Sequence, residues 1–227
     1  MKLDLKCLKY AVFDWDNTLA ESRTPLLFAL NKVLEANHLP SWSELVLKRD
    51  RNLSFRDNFV NYFGDRAADI YEQYAQVYLE NVASLIKTFD YVPEVLSFLR
   101  KSGIKLMIMS NKDRRLLEYE LPLLFDPKLF EKIVCGHEAL RDKPYPEHLY
   151  YTLEGYLPVH EISPESVWMI GDSPQDSRCA LAANARPIRI GKDIWQQSGD
   201  TDSRIVSFDD FKQFYSALRS DISEKLK

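Results

Sequence analysis

Short apolar runs alternate with amphipathic stretches along this chain. Residues 8–13 (LKYAVF), 104–109 (IKLMIM), 132–135 (KIVC), 167–170 (VWMI) and 187–190 (PIRI) are each followed by a polar or turn residue. Runs of that length also occur within buried helices, but their β-branched and aromatic content predicts strands. The stretches between them predict the helices of βαβ units. One helix opens at Val92 with Pro93 in its first turn, continues an apolar face through Leu96 and Leu99, and meets a stop at Gly103. A second is expected from Gln175 through Ala183, and a third from Phe208 to Leu218, opened by Ser207. The expected class is α/β, a parallel sheet flanked by helices.

The stretch from about Ser22 to Phe89 breaks this alternation, because it holds helical stripes and no plausible strand. Leu26, Leu27, Leu30, Val33 and Leu34 lie on one helical face, and Ile70, Tyr71, Tyr74, Val77 and Tyr78 repeat the pattern. Ser54 and Asp57 predict the cap of a further helix carrying Phe59, Val60 and Phe63. The expected organisation is a core of residues 1–21 and 90–227 with an all-helical insertion over 22–89.

Composition narrows the classes. With 34 acidic and 30 basic residues the formal charge is −4, which argues against a nucleic-acid partner or an anionic membrane surface. Hydrophobic residues at 45% are enough for a real core, so disordered and disulfide-scaffold classes are excluded. Cys7, Cys135 and Cys179 are odd in number and lack metal-site spacing, as expected of reduced thiols in the cytoplasm. The first residues are charged at Lys2, Asp4, Lys6 and Lys9, unlike a signal peptide or a membrane span. The seven glycines are dispersed, so no glycine-rich nucleotide loop is present. His38, His137, His148 and His160 lack ligand spacing and are read as surface or structural groups. The tyrosines from Tyr62 to Tyr78 are read as core of the insertion or a dimer surface.

Three predicted strand ends carry reactive groups. The first run delivers Asp14-Trp15-Asp16-Asn17-Thr18, the second Ser110-Asn111-Lys112, and the fourth Gly171-Asp172-Ser173-Pro174-Gln175-Asp176. Each alone reads equally well as a strand-to-turn transition. In a parallel sheet, however, all three ends face one edge, where ligands of open α/β folds bind. Carboxylates gathered there suit Mg²⁺, which takes hard oxygen ligands and keeps waters for a substrate phosphate. Arg141-Asp142-Lys143-Pro144-Tyr145-Pro146 would be an ordinary solvated loop, unless its prolines fix Lys143 against a phosphoryl oxygen.

Asp-x-Asp-x-Thr, a strand-terminal Ser, Lys-Pro and Gly-Asp-Ser-x-x-Asp, in that order, resemble the four motifs of the haloacid dehalogenase-like hydrolase superfamily. The resemblance runs from Tyr10 to about Phe211, and the long gap after the first motif is similar to that family's helical cap. The segment Asn52-Leu53-Ser54-Phe55-Arg56-Asp57 and the run from Gly171 to Ala185 resemble the phosphoglycolate-phosphatase-like branch. Asn52, Glu94, Ala180 and Asn184 stand where members often carry Gly, and none of these is a catalytic position.

The resemblance implies a Rossmann-like core and phosphoryl transfer through an aspartyl-phosphate. Asp14 would be the nucleophile and Asp16 the acid and base. Mg²⁺ would be held by the Asp14 side chain, the Asp16 main-chain carbonyl and Asp172. Ser110 and Asn111 would donate to phosphoryl oxygens, and Lys143 would offset their charge. Thr18 would brace the first loop, and Asp176 would orient Lys143 or a metal-bound water. By that resemblance, an acid at Asp16 points to phosphate-ester hydrolysis, the favoured reading, or to phosphoryl transfer between sugars. The helical cap implies small substrates, and the chain is expected to be a monomer or homodimer. A sugar phosphomutase, or a binding protein that keeps the fold, are the alternatives. The insertion would close over the site, with Arg23, Arg49, Arg51 and Arg56 as candidate contacts to the leaving group.

Overall fold

The structure, a computed structural model, describes residues 3–50, 53–191 and 202–223. Strands β1 (Tyr10–Phe13), β2 (Lys105–Met109), β3 (Lys132–Val134), β4 (Val167–Gly171), β5 (Arg186–Ile190) and β6 (Val206–Phe208) form one sheet in the order β3-β2-β1-β4-β5-β6. Every neighbouring pair is parallel. The chain builds outward from β1 to β3 and then returns to lay β4 on the other side of β1. That reversal creates the crevice beyond the carboxyl ends of β1 and β4.

Both faces of the sheet are covered, as the continuous apolar runs require. Alternate residues sort to opposite sides. Ala11, Phe13, Leu106, Ile108, Trp168 and Ile170 pack with residues of α5 (Val92–Lys101), α6 (Arg114–Leu124) and α9 (Phe211–Ser223). Tyr10, Val12, Met107, Met109, Val167 and Met169 pack with α7 (Glu147–Leu153) and α8 (Pro174–Ala182). The period of two along each strand thus serves two cores at once.

The five expected strands form within a residue or two of their expected limits, and the last helix does not. Ser207 lies in β6, opposite Arg189, and does not cap a helix. The cap is Asp210, whose carboxylate accepts from the Gln213 backbone N–H at 2.7 Å, while the Gln213 side chain accepts from the Asp209 N–H at 2.8 Å. This reciprocal pair starts α9 at Phe211 and frees the preceding residues to add an edge strand. After α8, Asn184 takes a left-handed backbone, φ 60°, and its side chain donates to the Ile162 carbonyl at 2.8 Å. Asn tolerates that region better than most residues.

Among the described residues from 23 to 84, every regular element is a helix. These include α1 (Arg23–Ala36), α2 (Trp42–Leu45), α3 (Phe59–Phe63) and α4 (Ala67–Asn81). They share their own core, in which Leu30, Val33 and Leu34 meet Ile70, Tyr71, Tyr74 and Tyr78, with Phe59 and Tyr62. The Ser54 hydroxyl does accept from the Asp57 N–H at 3.0 Å, but it caps a turn, and α3 begins only after Asn58. Val60, expected on the buried face, is 64% exposed, because the short helix buries Phe59 and Tyr62 instead. The two chain segments joining these helices to the sheet lie side by side. Glu21 N–H donates to the Lys87 carbonyl and the Thr88 hydroxyl to the Leu19 carbonyl, each at 2.8 Å. No helix among the described residues is long and apolar enough to cross a membrane.

Candidate active site

Asp14 directly follows β1, and its N–H extends the ladder by donating to the Ile170 carbonyl at 2.8 Å. The chain then turns tightly, since the Trp15 carbonyl accepts from the N–H groups of Thr18, Leu19 and Ala20. Asn17 takes the left-handed backbone this needs, φ 57°. The turn leaves Asp14 and Asp16 on the cleft, while Trp15 points the other way into the core and is fully buried. Thr18, buried beneath the loop, donates to Asp14 Oδ2 at 3.4 Å.

Lys143 Nζ lies at the centre of the site. It donates to Asp14 Oδ1 at 2.6 Å, to Asp176 Oδ1 at 2.7 Å and to the Met109 carbonyl at 3.0 Å. All three ammonium hydrogens therefore have acceptors in hydrogen-bonding range. Burial works against its charge, but Asp14 and Asp176 outweigh burial and hold the ammonium above the usual lysine range. Asp176 is fixed in turn, since its Oδ2 accepts from the Ser173 N–H at 3.0 Å and the Ser173 hydroxyl at 2.6 Å, in the capping box of α8. Gly171 permits this arrangement, because a Cβ there would fall 2.3 Å from the Asp176 carboxyl.

Asn111 lies at the same edge. Its side chain donates to the Lys143 carbonyl at 2.8 Å and accepts from the Lys143 N–H at 3.1 Å. Its amide thus clasps the lysine loop. The same Lys143 N–H also approaches His148 Nδ1 at 3.2 Å. Burial, then Lys143, push the His148 imidazole down to about 3, so it is a neutral structural group. Ser110 is buried at the end of β2 and accepts from the Lys112 N–H at 3.2 Å, which leaves its hydroxyl hydrogen to donate.

Negative charge is in excess here. Burial, aided by Asp176 and Asp16 and opposed by Lys143, raises the Asp14 carboxyl to about 7. Burial, then Asp14 and Asp176, raise Asp172 well above the usual carboxylate range. Asp14, Asp172 and Asp176 can bring one oxygen each within 4.8 Å of one another. Such crowding fits a hard divalent cation. Both Asp176 oxygens are engaged, by Lys143 and Ser173, whereas Asp14 Oδ2 has just a long contact from Thr18 at 3.4 Å, so Asp14 and Asp172 are the freer side chains. A folded Asp14 keeps its proton up to about 7 and an unfolded one only to 3.8, so folding takes up a proton between those values. Metal-free protein should therefore lose stability as pH rises from about 4 to 7. Urea denaturation across that range should show a flatter profile for Asp14→Asn, and parallel profiles would contradict the crowding.

The cleft measures about 770 Å³ and is lined from both sides, by Asp14, Asp16, Ser110, Lys143 and Asp172 of the sheet edge and by Leu26, Arg49, Arg56 and Tyr74 of the helical insertion. Arg23 lines it too, whereas Arg51 lies outside the described residues. Arg56 Nη1 is 3.5 Å from Asp113 Oδ2, while its Nε and Nη2 are buried without a hydrogen-bond partner. Two further residues enter that the sequence reading passed over. Lys112 Nζ donates to Asp16 Oδ1 at 2.8 Å and pairs with Glu120 Oε1 at 2.9 Å. The available signal for Glu120 was an acid on the apolar stripe of Leu116, Leu117 and Leu121.

A parallel sheet with paired acids after its first strand and a buried lysine between carboxylates describes a class of phosphoryl-transfer and related hydrolases. The haloacid dehalogenase-like hydrolase family model matches residues 11–190, and the chain belongs to that family of enzymes. A phosphoglycolate phosphatase of Mannheimia succiniciproducens is 23% identical over 190 residues, covering 78% of this chain and 83% of that protein. A solved structure described as a predicted phosphoglycolate phosphatase from Haemophilus somnus superposes with a TM-score of 0.76 at 22% identity, over 99% of this chain and 100% of that one. CbbY from Rhodobacter sphaeroides, in complex with phosphate, gives 0.74 at 18% identity, over 93% and 99%. At these identities the two structures speak for the fold.

Proposed function

We propose that this protein hydrolyses small phosphate monoesters through an aspartyl-phosphate on Asp14. The observation that carries this reading is Lys143, buried and bonded to Asp14 and Asp176 at the sheet edge. Asp14 attacks phosphorus, the bond to the ester oxygen breaks, and Asp16 gives its proton to that oxygen. Water then attacks the phosphorus of the intermediate, Asp16 takes its proton, and Asp14 and inorganic phosphate are released. Ser110 donates to a phosphoryl oxygen, and Lys143 offsets the charge that spreads over the transferred group. The Asp14 and Asp172 side chains with the Asp16 carbonyl would hold Mg²⁺, which would supply charge neutralisation at the phosphate. Residues 22–89 act as a cap domain over a core of 1–21 and 90–227, excluding water from the first step.

Phosphoglycolate belongs among the candidate substrates because relatives that act on it share about a quarter of their residues with this chain. The test is phosphate release from a panel of small esters, phosphoglycolate and sugar phosphates included, with Mg²⁺ and with chelator. Chelation should lower release by at least about 100-fold, since the metal contributes several kcal/mol at the transition state. Metal-independent release, or isomerisation of a sugar phosphate without free phosphate, would sink the reading.

A further inference from the structure

Beneath Asp16 lies a buried charge cluster that phosphoryl transfer as derived above does not use. Lys112 Nζ, with its side chain only 6% exposed, touches Asp16 Oδ1, Glu120 Oε1 and, at 3.2 Å, the Tyr78 hydroxyl of α4. The Tyr78 ring also lies 4.9 Å from the same ammonium. Glu120 is fully buried, and its second oxygen, Oε2, accepts from Trp15 Nε1 at 2.5 Å. One carboxylate on α6 thus ties down both the residue between the two loop acids and, through Lys112, the second acid itself.

Such a cluster is an expensive way to build a core. A leucine at 120 would simply continue the apolar stripe of Leu116, Leu117 and Leu121. Burying ions is often no better for stability than packing hydrophobic side chains in their place. What the charges add is aim. Asp16 sits on an open turn with 30% of its side chain exposed, where a short carboxylate has several rotamers. A misplacement of about 1 Å in a reacting group can cost about 100-fold in rate.

We propose that Lys112, anchored by Glu120 and steadied by Tyr78, is the positioning residue that aims Asp16 at the ester oxygen of the substrate. The proposal rests on the phosphatase reading above and deepens it. Lys112 holds Oδ1 of Asp16 and so leaves Oδ2 as the oxygen turned to the reacting group. The contact with Tyr78 makes the aim depend on the helical insertion resting in place.

Leaving-group dependence tests this, because a poorly aimed acid matters for an alcohol and hardly at all for a good phenol. The variant is Lys112→Met/Glu120→Gln, which removes both charges together and leaves an amide oxygen for Trp15. First-turnover release of the alcohol or phenol, which reports the first step alone, is measured from an alkyl phosphate and from 2,4-dinitrophenyl phosphate, alongside wild type and Asp16→Asn. Expected is a loss of about 100-fold on the alkyl ester and less than about 3-fold on the aryl ester, the scale set by general acid catalysis. Asp16→Asn should show the same split at least as strongly. Should the double variant not fold, Glu120→Gln alone, keeping Lys112, is expected to give a split of about 10-fold. Equal losses on both esters, or none, in a folded variant while Asp16→Asn splits, would overturn the positioning role alone. An Asp16→Asn enzyme without a split, or a wild type that releases phosphate from no ester, would overturn the phosphatase reading with it.

Discussion

Asp14→Asn is expected to lower phosphate release by at least about 10⁴-fold, the scale seen when a covalent nucleophile is removed. The same substitution should leave the metal-free thermal midpoint unchanged or raise it. Asn is nearly isosteric with Asp, keeps an oxygen for Lys143, turns its NH2 to the Thr18 hydroxyl, and leaves Lys143 paired with Asp176. What it removes is a buried charge that burial and the neighbouring carboxylates disfavour. Function and stability therefore pull in opposite directions at one residue. Steady-state turnover on the best ester, together with a melting curve in chelator, checks both halves. Activity above a tenth of wild type would end the assignment of Asp14 as nucleophile, and a sharply lowered midpoint would contradict the charge crowding.

Lys143→Met should damage both properties at once. It strips Asp14 and Asp176 of a shared counter-ion where neither can reach water freely. Breaking a buried pair by removing one partner costs about 3–5 kcal/mol, which in a chain of this size lowers the midpoint on the order of 10 °C. Turnover should fall by about 10²–10³-fold as charge stabilisation is lost. Lower pH protonates the stranded Asp14 carboxyl, which burial already raises, so the stability gap to wild type should narrow as pH falls from 7 toward 4. A second substitution, Asp176→Asn, should recover part of the midpoint and none of the turnover. Melting curves at several pH values, with turnover at pH 7, read these outcomes. A gap that widens on acidification would mean that Lys143 is not there to balance charge.

The sequence pattern made the sheet legible because its strands are buried on both faces. Continuous runs such as 104–109 and 167–170 leave few other ways to be covered. It also located Asp14, Ser110 and Asp172, since strand ends in a parallel sheet share an edge. The edge strand β6 was hidden because three residues, Val206 to Phe208, carry almost no pattern and adjoin an amphipathic helix. Asn111 came with the resemblance to known motifs, which carried no sign that its side chain would clasp the backbone of Lys143. Lys112 and Glu120 were missed for a related reason. Their partnership joins a loop to a helix, and Glu120 looks like an error in an apolar face until Trp15 and Lys112 are seen against it. The resemblance to known motifs supplied the roles, while the geometry showed which of the named side chains meet.

The helical insertion leaves the sheet at Ala20 and returns at Thr88, and those two residues are bridged to each other. The exit and the entrance are one doorstep. A segment hung in this way can change its lining without disturbing any strand, because it meets the core through side chains beyond the strand ends, where Glu72 pairs with Arg115 and Tyr78 touches Lys112. Leu26, Arg49 and Arg56, which line the cleft from the insertion, can then change while the carboxylates and Lys143 stay as they are. In such a molecule the chemistry is inherited, and the taste for a substrate is free to drift.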